Sequence, residues 1–227
     1  MLPTLVIFPT LVFLLLISPR HTLLSPFAKL LPTLPLSPSL SLHPAKYTDL
    51  PKVSPLLIES FYDNPSALLI PYHNLSELDR LQTTFPYSPL ARHAMYVAKH
   101  EIDGIVGFID VSYRYAMDDV LLDDVGRKEK TPYMTHSAFA PVPTGPYISD
   151  LCVSPHHRRQ GIGSALISIC ESTAWQWGTD VVYLRVKTDN EGGCRVYGEA
   201  GWEWVRELAD GTAVLQKDYE QVSTSKR

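Results

Sequence analysis

Two closely spaced glycines and a pair of arginines stand between an apolar run and a helical pattern in the C-terminal half of the chain. The run at residues 147–153 is rich in apolar and β-branched side chains, which predicts a buried strand. Gly161 and Gly163 then fall at the N-terminus of the predicted helix, where free backbone N–H groups and the helix dipole favour an anion. Arg158 and Arg159 add positive charge beside them. The stretch therefore predicts a phosphate-binding loop.

The spacing of these residues distinguishes between the known types of phosphate loop. A Walker loop requires GxxxxGK[ST], which the sequence lacks, and a Rossmann loop requires GxGxxG early in a βαβ unit. Here the order is Arg158-x-x-Gly161-x-Gly163, between a strand that ends in Leu-Cys-Val-Ser-Pro and an amphipathic helix. This arrangement resembles motif A of the GNAT (Gcn5-related N-acetyltransferase) superfamily, whose loop holds the pyrophosphate of acetyl-CoA. A surface loop capped by glycines is the alternative interpretation.

The resemblance implies where acetyl-CoA binds. In the superfamily two central parallel strands splay apart, and the pantetheine arm lies between them like an extra strand. Residues 147–153 and 181–187 look like those two strands, so the backbone of the first would bond the pantetheine while amides of the loop bind the pyrophosphate. Cys152 is then a small apolar filler rather than a nucleophile. The cofactor-binding residues implied in this way are Leu151, Cys152, Val153, Arg158, Arg159, Gln160, Gly161, Ile162, Gly163, Ser164 and Asn190.

Asn190 and Tyr197 match the second signature of the superfamily. They are seven residues apart, which is two helical turns, so both side chains lie on one side of a helix. The resemblance implies that Asn190 binds the pantetheine arm and that Tyr197 is catalytic, protonating the departing CoA thiolate. The structural alternatives are an N-cap for Asn190, which does not exclude cofactor binding, and a core position for Tyr197.

The general base is the least defined part of the predicted site. Ribosomal-protein acetyltransferases of this superfamily carry a glutamate at the position of Arg185, so that base is missing here. Tyr147 heads the motif YISDLCV, which is similar to a strand of some eukaryotic N-terminal acetyltransferases whose tyrosine helps to deprotonate the amine through water. Their partner histidine would again fall at Arg185. Asp150 is a second candidate, and His156 and His157 are expected to be solvated or near the phosphates.

The elements that position these residues follow from hydrophobic periodicity. A strand near Leu40 precedes a helix entered through Thr-Asp-Leu-Pro, and a second helix at residues 74–85 is predicted to be capped by Asn74 with Glu77 at capping-box distance. The full order β, α, α, β, β, β, α, β, α, β, β resembles the GNAT fold. We expect an α/β (α+β) domain whose central mixed sheet of six to seven strands splays between strands 4 and 5, with about four helices. The residues predicted to pack from the first helix are Val53, Leu56, Leu57, Ser60 and Phe61.

Composition excludes several other classes of function. The chain has 227 residues, 45% of them hydrophobic, which is enough for one substantial core with an appendage. Its formal net charge of -4 gives no basic footprint, so we expect no nucleic-acid partner. The three cysteines, Cys152, Cys170 and Cys194, lack CxxC or Cys/His ligand spacing. That spacing predicts neither a disulfide framework nor a zinc site, and no metal is expected.

The first 48 residues differ from the rest because they contain no Asp or Glu. An apolar run at residues 5–17 is too short for a membrane span and is followed by a basic, hydroxylated stretch typical of a transit peptide. We expect a cleaved or disordered targeting leader at 1–39 that directs the protein to the plastid (chloroplast), an acetyltransferase domain at 40–219 and a polar tail at 220–227. No stable membrane span is expected in the mature form. A secretory (ER) signal and a mitochondrial presequence are the alternatives.

The predicted activity is an acetyl-CoA-dependent N-acetyltransfer to protein α-amino or lysine amino groups by direct attack in a ternary complex. The chain looks most like plastid members of the superfamily that act on protein amines. A small-amine acetyltransferase, acting on polyamines or arylalkylamines, is the enzymatic alternative, and a CoA-binding regulatory module without turnover is the alternative from another class. The long loop at residues 116–146 is interpreted as a substrate-side flap or a solvated charge run.

Overall fold

The computed structural model describes residues 37–62, 64–88, 91–114 and 145–219. Most of the predicted leader at 1–39, most of the predicted loop at 116–146 and the predicted tail at 220–227 lie outside these residues. Within the described residues no helix is long and apolar enough to cross a membrane. The helices are α1 (Leu50–Phe61), α2 (Ile70–Thr84), α3 (Ile162–Gln176) and α4 (Glu191–Glu199). The strands are β1 (Leu40–Pro44), β2 (His93–His100), β3 (Gly104–Arg114), β4 (Gly145–Val153), β5 (Val181–Lys187), β6 (Glu203–Glu207) and β7 (Thr212–Asp218).

The strands form one mixed sheet in the order β1-β2-β3-β4-β5-β7-β6. Only β4 and β5 pair in parallel, and all other neighbours in this sheet are antiparallel. The parallel pair is joined through α3, as a crossover between parallel strands requires. The described elements follow the predicted order, and the seven-stranded mixed sheet with four helices confirms the predicted fold class.

The parallel pair opens into a wedge. The register of β4 with β5 consists of Tyr147 opposite Tyr183 and Ile148 opposite Leu184, and no residue of β4 beyond Ile148 pairs with β5. On its other side β4 stays paired with β3 as far as Val153. The backbone groups of β4 that face β5 are therefore without a ladder partner from this point on, and such groups form hydrogen bonds readily with an added extended chain.

Each face of the sheet packs on a different pair of helices. Apolar residues of α1 and α2, with Met95, Val97, Phe108 and Cys152 from the strands, form one core. Apolar residues of α3 and α4 form the second core, together with alternate residues of β3, β4, β5 and β7. Helix α3 approaches β3 closely at Gly107, where an added Cβ would lie 3.1 Å from Leu166 Cδ1. Because glycine has no side chain, α3 packs directly on the sheet at Gly107. This packing brings the N-terminus of α3 to the end of β4.

Two details of the predicted helices are wrong. Phe61 is 43% exposed, and Ile58, one turn before it, is buried instead. Asn74 does not cap α2, because the helix already begins at Ile70. The side chain of Asn74 instead accepts a hydrogen bond from Ser54 Oγ at 3.1 Å, which ties α2 to α1. Asparagine favours helix caps, but Asn74 lies inside α2, where its role is to contact α1.

Candidate active site

The loop between β4 and α3 has the backbone of an anion site. Arg159 and Gly161 both adopt left-handed conformations, with φ of 65° and 78°. Alternation of left-handed and ordinary residues turns successive N–H groups toward one concave point. The first hydrogen bond at the start of α3 runs from Ala165 N to Gly161 O at 3.0 Å, so the amides of residues 162–164 have no partner within the helix. The structure thus brings the predicted pyrophosphate-binding amides together at a positive helix end.

The two glycines of this loop differ in what requires them. Gly161 has a positive φ, a conformation that most side chains rarely adopt. Gly163 lies in the first turn of α3 without a positive φ, and an added Cβ would meet no protein atom within 4 Å. A glycine inside a helix costs about 1 kcal/mol relative to alanine, and no packing within the described residues requires it at 163. Close approach of a ligand to the backbone would explain it.

The other loop residues divide between core and solvent. Ile162 is buried against the sheet and anchors α3, whereas Arg158, Arg159 and Gln160 are exposed. Arg158 Nε donates to the carbonyl of Val153 at 3.1 Å, so this guanidinium closes the end of β4. The carbonyl oxygen of Val153 therefore already accepts a hydrogen bond. The backbone of Leu151, by contrast, faces the wedge and has no partner from β5.

A β-bulge bends β4 at the position where it leaves β5. Phe108 pairs with Cys152 and Asp110 pairs with Ser149, so two residues of β4 lie opposite one residue of β3. Asp150, one of the two, has a left-handed φ of 57°, which aspartate tolerates better than most residues. Cys152 then points into the core beneath α1, and burial raises the pKa of its thiol. A protonated, enclosed thiol agrees with the predicted filler role.

Asn190 lies at the N-terminus of α4, three residues after the end of β5. Its Oδ1 accepts a hydrogen bond from Gly193 N at 2.9 Å, so it is an N-cap. An added Cβ at Gly193 would lie 2.8 Å from Asn190 Nδ2, which shows that glycine at 193 makes room for this cap. Cofactor binding by Asn190 stays a prediction, and the cap leaves the Nδ2 amide to provide it.

Tyr197 is held in place by Trp202. Trp202 N donates to Tyr197 O at 3.0 Å, the two rings meet edge to face at 6.1 Å, and Trp202 Nε1 donates to the buried Glu171 at 2.9 Å. The Tyr197 hydroxyl has no hydrogen-bond partner among the described residues. Burial raises the pKa of this phenol well above its ordinary value, and the neighbouring Tyr147 adds to the rise. A phenol that keeps its proton at neutral pH is suited to donate it to a thiolate.

Tyr147 faces the opposite side of the sheet from α3, beside the wedge. It is buried, and the guanidinium of Arg114 lies over its ring at 3.7 Å from the centroid. Ser112, its pair on β3, is on the same face. The phenol of Tyr147 contributes to the raised pKa of Tyr197, so the two predicted catalytic residues interact electrostatically. Their catalytic roles stay predictions.

The candidate base Asp150 is occupied by Arg80. The two side chains form an ion pair at 2.8 Å, and Arg80 also pairs with Glu77 at 2.8 Å. Glu77 in turn accepts a hydrogen bond from Tyr62 at the end of α1. Arg80, which pairs with both Glu77 and Asp150, therefore links helix α2 to the bulge of β4. Arg185, at the position of the missing base, pairs with Asp210 and donates from Nε to Thr212 Oγ1 at 2.7 Å.

A partly buried histidine and a buried aspartate on the face that carries α1 and α2 were not predicted from the sequence. His93 Nε2 lies 2.9 Å from Asp110 Oδ1, and burial raises the pKa of Asp110, although His93 opposes the rise. The two residues come from neighbouring strands 17 positions apart, counted from 93 to 110. Alternation within each strand predicted only hydrophobic or solvent-facing positions, so nothing in the local pattern identified the pair.

Comparison with known proteins assigns the chain to a family. The sequence matches the model of the acetyltransferase (GNAT) family over residues 58–202, more than half of the chain. The chain belongs to this family. The described part of the chain is therefore a GNAT acetyltransferase domain, and the resemblance seen in the phosphate loop and in α4 is confirmed at the level of the family.

A curated relative of this GNAT chain is GCN5-related N-acetyltransferase 7, chloroplastic, from Arabidopsis thaliana. It is 35% identical over 57 residues, which make up 25% of this chain. The match spans 21% of the relative's own length.

Solved structures share the fold at low identity. The PaiA N-acetyltransferase from Thermoplasma acidophilum in complex with coenzyme A has a TM-score of 0.56 at 15% identity, over 80% of this chain and 99% of that chain. Ard1 from Thermoplasma volcanium has a TM-score of 0.53 at 18% identity, over 79% and 97%. A spermidine N-acetyltransferase SpeG chimera from Vibrio cholerae and hSSAT has a TM-score of 0.55 at 14% identity, over 83% and 99%. These similarities establish the GNAT fold and do not distinguish between acceptors.

Proposed function

We propose that this GNAT chain transfers the acetyl group of acetyl-CoA to free α-amines of proteins, and more slowly to lysine side chains. The amine attacks the thioester directly in a ternary complex. Acetyl-CoA would lie in the wedge between β4 and β5, with its pyrophosphate on the amides of residues 159–164. Support for a protein α-amine as acceptor comes from the charges on the face of the sheet that carries α1 and α2.

The carboxylates of the strands around the wedge are already paired. Strands β3, β4 and β5 carry only Asp110 and Asp150, and these are paired with His93 and Arg80. A polyamine carries several positive charges and needs unpaired carboxylates to replace its water. The described residues of these strands offer none. A protein N-terminus carries a single positive charge and loses it before attack. The strands around the wedge, whose carboxylates are already paired, therefore suit a protein N-terminus better than a polyamine.

The same pairing determines which amine reacts. The attacking amine must be neutral, and reference pKa values are near 7.7–8.0 for an α-amine and 10.4 for lysine. At about pH 8 roughly half of an α-amine is neutral but less than about 1% of lysine, a difference of roughly 3 kcal/mol. Asp150 is engaged by Arg80, and Arg185 stands where the family resemblance predicts a base, so no free carboxylate on these strands removes the lysine proton. An acceptor that deprotonates by itself is therefore favoured.

Exposed apolar side chains near α2 offer room for the residues that follow an N-terminus. Leu68 is 89% exposed and Leu75 is 68% exposed, and Leu69 and Tyr72 are half-exposed between them. They lie at the start of the helix whose later part carries Arg80. Peptide side chains could pack here, whereas a small amine has no further residues to place on this surface.

We expect a peptide with one free α-amine and one lysine to be acetylated mainly at the α-amine. Near pH 7 the ratio of kcat/KM for the two sites should be about 100 in favour of the α-amine, and it should fall about tenfold by pH 9 as lysine loses its proton. Mass spectrometry of the products, with an N-terminally blocked twin peptide as the control, gives both rates. A lysine preference at pH 7 would mean that a base acts in the site, with Asp150 the first to test. Faster turnover of spermidine than of any peptide would support the small-amine alternative instead.

We also propose that the leader directs the protein to the plastid. The acid-free composition of the first 48 residues and the chloroplastic relative support this location. N-terminal sequencing of the native protein should find a processed end, and we expect it at or before residue 38, because β1 begins at Leu40 and Ser39 O already accepts from Glu101 N. Native protein that retains Met1 and stays in the cytosol would contradict the proposal.

A further inference from the structure

Two histidines and an aspartate meet at one end of the sheet, next to the phosphate loop. His100 ends β2, Asp103 lies in the tight turn that follows, and His157 lies in the short 3-10 turn after β4. Asp103 Oδ2 is 2.8 Å from His100 Nδ1 and 3.0 Å from His157 Nε2. The two imidazole rings are 5.0 Å apart between centroids. His157 was expected to be solvated or near the phosphates, and the structure places it against this turn instead.

We propose that His100, Asp103 and His157 bind a divalent transition-metal ion such as Zn²⁺. Each residue offers one ligand atom, and these atoms all lie within 4.8 Å of one another. Tetrahedral zinc with bonds of about 2.0 Å separates its ligand atoms by about 3.3 Å, so each histidine nitrogen, now 2.8 or 3.0 Å from Asp103 Oδ2, would move only a few tenths of an ångström from that oxygen. The cysteine spacing predicts no zinc site, but this cluster contains no cysteine.

The ligand types and their exposure select the ion. Two imidazoles and one carboxylate suit zinc and its neighbours in the first transition row, whereas Ca²⁺ and Mg²⁺ prefer sites built of oxygen atoms. The histidine side chains are mostly buried, at 18% and 13% exposure, and are thus held in place. Asp103 is 50% exposed, which leaves the ion a path from solvent and room for a water as fourth ligand.

The position of the site connects it to the fold around the cofactor loop. His157 directly precedes the Arg158–Ser164 segment, while His100 and Asp103 flank the β2–β3 turn. These two segments are joined by Ser154 N, which donates to Val106 O at 2.8 Å. The contact between His157 Nε2 and Asp103 Oδ2 at 3.0 Å also joins them, and a metal ion would replace this contact with coordinate bonds at the base of the phosphate loop.

Titration of the full-length protein with Zn²⁺ by calorimetry, and with Co²⁺ by absorption, tests the site. We expect one equivalent bound with a Kd of about 10 µM or below, and a Co²⁺ spectrum without a thiolate charge-transfer band. His157→Ala and Asp103→Asn should each weaken binding about 100-fold. His156→Ala is the matched control, because His156 is exposed on the same turn and should bind the metal as the wild type does.

Asp103→Asn keeps the shape of an exposed turn residue, so its result stands even if a histidine variant folds poorly. Absence of stoichiometric binding at this concentration would overturn the proposal. So would binding that survives both ligand variants, binding that is lost equally in His156→Ala, or a cobalt spectrum that reports a thiolate. In the last case one of the cysteines, with Cys194 the least buried, is the ligand.

Discussion

Replacing Gly161 by aspartate should weaken acetyl-CoA binding by at least about 100-fold. The substitution places a Cβ and a negative charge at the concave point of the loop, where we propose that the unpaired amides of residues 162–164 bind the pyrophosphate. A lost charge-assisted interaction of about 1.5–3 kcal/mol together with like-charge repulsion accounts for this magnitude. Calorimetry with acetyl-CoA measures it directly.

Gly178→Asp is the control for this experiment. Gly178 has a φ of 75° and an added Cβ there meets no atom within 4 Å, so backbone strain and added charge match those at Gly161, whose φ is 78°. It follows the opposite end of α3, about 22 Å along the axis. It should bind acetyl-CoA like the wild type. Arg158→Ala should cost less than about tenfold, because this exposed side chain contributes about 1 kcal/mol. Equal affinities for the wild type and Gly161→Asp would exclude the loop as the cofactor site.

Tyr197→Phe should lower kcat about 10- to 1,000-fold with little change in acetyl-CoA affinity. The variant keeps the ring that packs on Trp202 and removes only the hydroxyl that we expect to protonate the CoA thiolate. Because burial raises the pKa of Tyr197, this acid keeps its proton as pH rises through the ordinary phenol value of about 10. The wild-type kcat should therefore show no loss from this group between about pH 7 and pH 10.

Tyr96→Phe provides the matched control for loss of a hydroxyl. Tyr96 Oη lies 2.7 Å from Thr173 Oγ1, in the core on the same face of the sheet as Tyr197. This variant should lose about 1 kcal/mol of folding free energy and keep its kcat. If Tyr197→Phe behaves in the same way, with a lower melting temperature and an unchanged kcat, then Tyr197 is a core aromatic and the thiolate leaves unassisted.

Short-range signals in the sequence were sufficient to predict most of the fold. The bounds of β5 at 181–187 agree with its run of β-branched residues, and α4 begins after Asn190 as its cap predicts. The left-handed turn before α3 agrees with the predicted glycine loop, because all parts of that motif lie within a few residues of one another, and phosphate binding there stays a prediction. The start of α2 was not, because the helix is entered four residues before Asn74, through a proline at Pro71 that fits a first turn.

The side-chain pairs on the face of the sheet that carries α1 and α2 could not be predicted, because the two members of each pair come from different elements. Arg80 reaches Asp150 across 70 positions, and the left-handed bulge that holds Asp150 has no signal in a strand of apolar residues. His93 and Asp110 meet only through the register of β2 and β3. His100 and His157 approach each other because β3 pairs with both β2 and β4. Such contacts follow from the assembled sheet rather than from local propensity.

The most direct test of the central proposal is acetylation of a peptide library in which each sequence is present with a free and with a blocked N-terminus. Wild-type protein and acetyl-CoA should yield products acetylated at the free α-amine, blocking should remove most of the turnover, and Tyr197→Phe should yield far less product at equal acetyl-CoA occupancy. Binding of acetyl-CoA without turnover of any peptide, or turnover that is indifferent to blocking of the N-terminus, would contradict it.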